Sequence, residues 1–206
     1  MFGVKSILFY KMNKTYIKTV IVLSFVFLVS WTPIAKIIYG IKDFKTYVPS
    51  DKRIEYYKPY FETTNNKVSI YSFKNWEGLQ ATFDSVGVPR VFLHNILNDS
   101  VFVLNCHEDM LYDVEEINKN NFKDILLADK KEFVNLKNII DTSAILTYTE
   151  NEIRKNNKWK VYLVNGTFMG KTLRKKALPV TKTLEGVEEL IVVDVSIDGE
   201  KTENKY

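Results

Sequence analysis

Apolar and polar positions alternate under three different rules along this chain. From Thr19 to Ala35 it reads TVIVLSFVFLVSWTPIA, seventeen residues without a charge, ten of them Val, Ile, Leu or Phe. A helix of a soluble core rarely goes so long without a polar face. Each of those ten contributes about −0.3 to −0.6 kcal/mol on an insertion scale, so roughly 3–6 kcal/mol favours the bilayer before polar residues are counted. Seventeen residues is the short end of a span. Lys18 and Lys36 can snorkel, Ile37, Ile38 and Tyr39 lengthen the run, and Trp31 and Tyr39 sit at interfacial positions. The pattern predicts a transmembrane helix over 19–39.

The second regime, residues 40–66, mixes charge with Tyr and Phe, carries Pro49 and Pro59, and keeps no period. It reads as an aromatic stalk that packs on a domain or at a membrane surface.

The third regime, residues 67–197, shows the periods of a globular α+β domain. VSIYSF at 68–73 alternates as a strand. Trp76, Leu79, Phe83 and Val86 fall at helical spacing, and Gly87 with Pro89 stops that helix. VFVLNC at 101–106 is a buried strand, Met110, Val114 and Ile117 mark a helix over 108–120, and DILLAD at 124–129 reads as another strand. Asp129 with Glu132 forms a capping-box pattern ahead of Phe133, Leu136 and Ile140. Hairpins are then expected, one turning at Asn156-Asn157 and one at Asn165-Gly166. ELIVVDVSI at 189–197 supplies a late strand, and residues 198–206 form a polar tail. The expected fold is one transmembrane helix followed by a mixed-sheet α+β domain that ends in a β-meander.

Charge decides topology and excludes one function class. The formal charge is +4, but Lys5, Lys11, Lys14, Lys18 and Lys36 precede the first acid, Asp43, leaving a net of −1 for residues 40–206. A domain that binds nucleic acid carries its basic footprint on the folded part, so no nucleic-acid partner is expected. Four lysines and no acids before the span place residues 1–18 in the cytoplasm or matrix and the domain across the membrane, bacterial inner or mitochondrial inner. A cleaved signal peptide fits poorly, since an end at Ala35 puts Pro33 at −3 and an end at Ser30 puts Leu28 there. An organelle presequence before a span is the other alternative.

Candidate chemistry is sparse. Cys106 is the single cysteine, so an intrachain disulfide or cysteine-based zinc site is excluded. It ends an expected strand and opens an expected helix, where the dipole can lower a thiol pKa. That strand–Cys–helix order over residues 68–140 resembles the active-site corner of thioredoxin-like proteins, which implies a thiol-dependent role for Cys106. The resemblance departs at Asp109, where a resolving cysteine would stand, and at Asp141-Thr142-Ser143, which lacks a proline. His94 and His107 are the only histidines, and His107-Glu108 neighbours point apart, so no metal or Cys–His pair is expected. Gly170-Lys171-Thr172 matches the tail of a phosphate-binding loop but lacks the earlier glycine at the required offset. No cofactor is expected.

Lys171, Arg174, Lys175 and Lys176 form the domain's basic cluster, a solvated strand end or a patch for anionic lipid or an acidic partner. Asn98-Asp99-Ser100 and Asn165-Gly166-Thr167 are glycosylation sequons, meaningful in a secretory lumen only. Together these features lead us to expect a single-pass, signal-anchored accessory or structural subunit of a membrane complex, with the lipid bilayer and other subunits as partners. Trp31, Tyr47, Tyr56, Tyr57, Tyr60 and Phe61 are the expected contacts, because aromatics dominate interface energetics. The alternatives are a membrane-tethered thiol protein and an envelope receptor or protective protein that captures one ligand.

Overall fold

The computed structural model describes residues 46–62, 66–104, 110–150, 158–169 and 171–199, with the side chains of 171–174 left out. The expected transmembrane run, Trp31 and Cys106 lie outside these residues. No described helix is long and apolar enough to cross a membrane.

The described residues form a mixed α+β domain with a seven-stranded sheet and five helices. In chain order these are β1 (Tyr47–Val48), α1 (Ser50–Phe61), β2 (Lys67–Phe73), α2 (Trp76–Ser85), β3 (Arg90–Asn95) and β4 (Ser100–Leu104). They continue with α3 (Met110–Asn118), α4 (Lys130–Ser143), β5 (Ala144–Glu150), β6 (Trp159–Asn165), α5 (Lys171–Thr183) and β7 (Val187–Asp198). The sheet order is β4-β3-β6-β7-β2-β5, with β1 added beside β7. β6, β7 and β2 are parallel, whereas β3, β4 and β5 join antiparallel to their neighbours.

β7 is the axis of this arrangement. Leu190 and Val192 enter one core with Tyr57, Tyr60, Met110, Val114, Ala177 and Val180. Ile191, Val193, Val195 and Ile197 enter the other with Leu79, Phe133, Leu136 and Ile139. Helices α1, α3 and α5 therefore cover one face and α2 and α4 the other. A strand covered on both faces reads as a continuous apolar run, as LIVV does.

Several expectations hold. β2, α2, α3, α4 and β7 stand where the patterns put them, and the Asp129 side chain caps α4 by accepting from the Lys131 amide at 2.9 Å. Glu132 does not close a capping box; it pairs with Arg90 at 3.1 Å.

Four expectations are corrected. The chain does not end in a meander: β6 and β7 are parallel, and α5 crosses between them. β5 and β6 are not a hairpin, since β5 pairs with β2 at the far edge. DILLAD is not a strand; it makes one bridge, Phe102↔Leu127, and leaves Leu126 and Leu127 60% and 70% exposed. The stalk is a strand and a helix of the domain. Its buried stripe is Arg53, Tyr57, Tyr60 and Phe61, and an arginine at the first position breaks the apolar pattern that would reveal it. Pro49 precedes the first turn, and Pro59 lies inside the helix. Sequence patterning also passes over β3, whose RVFLHN pairs with both β4 and β6.

α2 and α4 touch at a glycine. A Cβ at Gly78 would stand 2.6 Å from Ser143 Cβ and 3.1 Å from Phe73 Cδ1. Overpacking of this kind costs about 1–3 kcal/mol. Gly78→Ala is accordingly expected to lower the unfolding free energy of the domain by that amount, read from the urea midpoint and slope, and an unchanged midpoint would show that the two helices yield freely.

Candidate functional site

In sheets with a parallel core, ligands settle outside the carboxyl ends of the strands. Here β6, β7 and β2 end at a group of buried polar side chains. On one face of β7 the apolar pair Leu190 and Val192 gives way to Asp194, Ser196 and Asp198. α1 lays Arg53 and Tyr57 over them.

Every donor nitrogen and hydroxyl oxygen of this cluster has a partner. Arg53 Nε donates to Asp194 Oδ2 at 3.0 Å, Nη1 to Asp198 Oδ1 at 2.8 Å, and Nη2 to the Val48 carbonyl at 2.8 Å and Ser196 Oγ at 3.1 Å. Asp194 Oδ1 accepts from the Tyr57 hydroxyl at 2.8 Å and the Thr167 amide at 3.1 Å, and Ser196 Oγ donates to Oδ2. Ser50 Oγ donates to Asp198 Oδ1 at 2.8 Å. Burial first, and the Asp194 carboxylate second, hold the Tyr57 hydroxyl well above its ordinary pKa of 10.0. Such a phenol donates and does not ionise. Both Asp194 oxygens are bonded twice, and the cluster holds α1 and β1 on β7.

The loop after β6 bears on the phosphate-loop reading. Residues 165–169 link a parallel strand to a helix, which is the context such a loop needs and not the hairpin that Asn165-Gly166 suggests. Its amides are nevertheless engaged: Gly166 N with Asn165 Oδ1 at 2.8 Å, Thr167 N with Asp194, and Met169 N with the Gly166 carbonyl at 2.9 Å. A phosphate there would also meet the Asp194 carboxylate. A side chain at Gly166 would lie 2.2 Å from Phe168 Cε1, so close packing is reason enough for this glycine.

A second polar group lies on the α4 face. Glu189 accepts from Ser69 Oγ at 2.8 Å and pairs with Lys67 at 2.9 Å and Lys160 at 3.5 Å. Burial, then the Glu189 charge, pushes the Tyr162 hydroxyl up to about 12. Nearby, His94 Nε2 lies 2.7 Å from Asp99 Oδ1, while His94 Nδ1 is buried without a hydrogen-bond partner. A histidine–carboxylate relay needs a hydroxyl or thiol at that free nitrogen. None of the described residues supplies one. No cluster of three His, Cys, Asp or Glu able to hold a metal occurs among the described residues.

The expected contacts separate on this structure. Tyr57 and Tyr60 are fully buried and Phe61 nearly so, stacked 5.5 Å from Tyr148; these three are core, not partner contacts, because α1 closes one face of the sheet with them. Tyr56 is half-buried and donates to the Met169 carbonyl at 2.5 Å. Tyr47 is exposed. The basic cluster belongs to a helix, not a strand end: Lys171, Arg174, Lys175 and Lys176 open α5, with Lys175 exposed and Lys176 half-buried. Cys106 itself is not described, but β4 before it is the edge strand of a β3–β4 hairpin, and residues 124–129 form no strand. β4 and α3 flank Cys106 in the order strand–Cys–helix, and the thioredoxin-like resemblance rests on that order alone. Arg53, Asp194 and Asp198 escaped the sequence reading, although the apolar-to-polar change along one face of β7 signals them.

No protein-family model, curated protein or solved structure matches this chain.

Two outcomes test the reading of these clusters. Arg53→Met leaves Asp194 buried without its cation, and about 3–5 kcal/mol of stability is expected to go. Adding Asp194→Asn restores part of it, with a coupling of about 1–3 kcal/mol in a denaturation cycle; additive losses would separate the two residues. The second outcome concerns pH. Burial raises Asp198 and Glu189, but the hydrogen bonds of Arg53 and Ser50 to the first, and of Lys67 and Ser69 to the second, leave both below their ordinary 3.8 and 4.5. Their stabilisation is thus complete above those values and disappears as pH falls through the lower folded ones. Glu189→Gln with Asp198→Asn is expected to flatten the loss of stability below pH 4.5, and an unchanged acid slope would contradict the assignment.

Proposed function

We propose that this chain is a single-pass membrane-anchored accessory or structural subunit of a membrane protein complex, working through protein–protein contacts of its α+β domain. The N-terminus lies inside and the domain outside, at a bacterial or mitochondrial inner membrane. The anchor rests on the uncharged run from Thr19 to Ala35 and its lysine-only N-terminal flank. The observation that carries binding over catalysis is the crevice at the carboxyl ends of β6, β7 and β2. Arg53, Asp194, Tyr57 and Ser196 fill it and satisfy one another.

The structure changes where a partner is sought. Tyr57 and Tyr60 serve the core, so truncating them reports folding. Leu126 and Leu127 lie beside the edge strand β4, and their neighbours already use its groups, with Val103 N donating to the Leu126 carbonyl and Ala128 N to that of Val101. Two adjacent leucines this exposed cost solvation that a partner would recover, about 1.5–3 kcal/mol for each one fully buried.

Full-length protein extracted in mild detergent is expected to travel with other subunits and to stay in the pellet through a carbonate wash. Leu126→Asp with Leu127→Asp should leave the fold intact and weaken co-purification about ten-fold or more. A membrane-bound chain that runs at the mass of one copy, with or without the substitutions, would refute the subunit role. Release by carbonate would refute the anchor.

A further inference from the structure

We infer that the end of the domain where β4, β6, β7 and β2 finish rests on the interfacial zone of a phospholipid bilayer through an aromatic triad, Tyr47, Trp76 and Tyr112. The inference depends on the anchor proposed above and adds which face of the domain meets lipid, and by what chemistry.

Topology brings the three residues to one end. β6, β7 and β2 are parallel, and β4 runs with them because it is antiparallel to β3, itself antiparallel to β6. Their carboxyl ends therefore share an edge of the sheet. β1 joins there, through Tyr47↔Ile197 and Val48↔Asp198, so the chain arriving from the apolar run enters the domain at this end. α2 starts there after β2 and brings Trp76, and α3 starts there after β4 and brings Tyr112. From β4 to β2 the end spans four strand spacings, about 19 Å. The two helices lie on opposite faces of the sheet, so the residues form a triangle and not a line.

Exposure singles these residues out. Among the described residues, Tyr47, Trp76 and Tyr112 are the tyrosines and tryptophan that stand exposed, at 41%, 51% and 53%, and all three are at this end. Their amphipathic rings are the side chains that bilayer interfaces favour. The chain outside the described domain supplies the occupant: Tyr39, closing the expected anchor, and Tyr47 are eight residues apart, a reach of at most about 28 Å.

Charge plays the smaller part. Lys52, Lys74, Lys171, Arg174 and Lys175 lie at this end, but so do Asp51, Glu55, Glu77 and Asp113. At about 1 kcal/mol for each basic residue near an anionic surface, the acids offset most of the attraction, and contact with neutral lipid is expected to suffice. The opposite end offers a control in Leu97, exposed in the β3–β4 turn.

The test uses the full-length chain with Cys106→Ser, alone in phosphatidylcholine nanodiscs whose acyl chains are brominated near the headgroup. A bimane probe is placed by Trp76→Cys, Tyr112→Cys or Leu97→Cys. Quenching is expected at 76 and 112 and not at 97. Hydroxyl-radical labelling of the unsubstituted chain should likewise spare Tyr47, Trp76 and Tyr112 relative to Leu97, which guards against misfolded variants. Quenching that is absent at 76 and 112, or equal at 97, while the chain stays embedded would overturn the inference and leave the anchor standing. A chain that fails to embed at all would overturn both.

Discussion

A guanidinium removed from water costs several kcal/mol unless its donors and its charge are met in full. Arg53 is buried, and the structure meets it with two carboxylates, a carbonyl and a hydroxyl. That requirement organises the rest. It fixes Asp194 and Asp198 on one face of β7, draws α1 across that face, and holds the Val48 carbonyl, hence β1, at the end of the sheet. Tyr57 and the Thr167 amide complete the Asp194 shell, which ties the loop after β6 into the same knot. The cluster need not be more stable than an apolar filling of equal volume. What it provides is register, since a guanidinium with four directed contacts tolerates one placement of the helix.

The consequence reaches the chain's working arrangement. The place that α/β proteins keep for a ligand is filled by the protein's own side chains, and the Gly166, Thr167 and Met169 amides of the loop after β6 are bonded already. Among the apolar side chains left outward are the aromatic triad at the end where β1 joins and the leucine pair beside β4.

Much of the domain was legible in its periods, and the misses have physical causes. β2, α2, α3, α4 and β7 show unmixed strand or helix spacing, and the double burial of β7 is written in its unbroken apolar run. α1 was hidden because its inward stripe starts with a charged residue and because two prolines flank or interrupt it; nothing local says that Arg53 will find Asp194, 141 residues away. Asn165-Gly166 misled for the opposite reason. Its turn signal is genuine, but the loop leads to a helix because the next strand, β7, runs parallel to β6 and needs a crossover. DILLAD has strand composition, yet it meets the edge strand β4 through the single bridge Phe102↔Leu127. As for the site, Cys106 drew attention through its chemistry alone, whereas the buried ion pair gave only the apolar-to-polar change on β7. Pairing over such distances is set by the fold, not by any local pattern.

The central claim is that Arg53 makes α1 part of the same cooperative unit as β7. Native-state hydrogen exchange on the full-length protein tests it most directly. The account predicts that the amides of residues 53–61 open with the same free energy, and the same denaturant dependence, as those of residues 190–197. Opening of α1 in a separate step, several kcal/mol below the global transition, would contradict it and make the helix a loosely docked stalk after all.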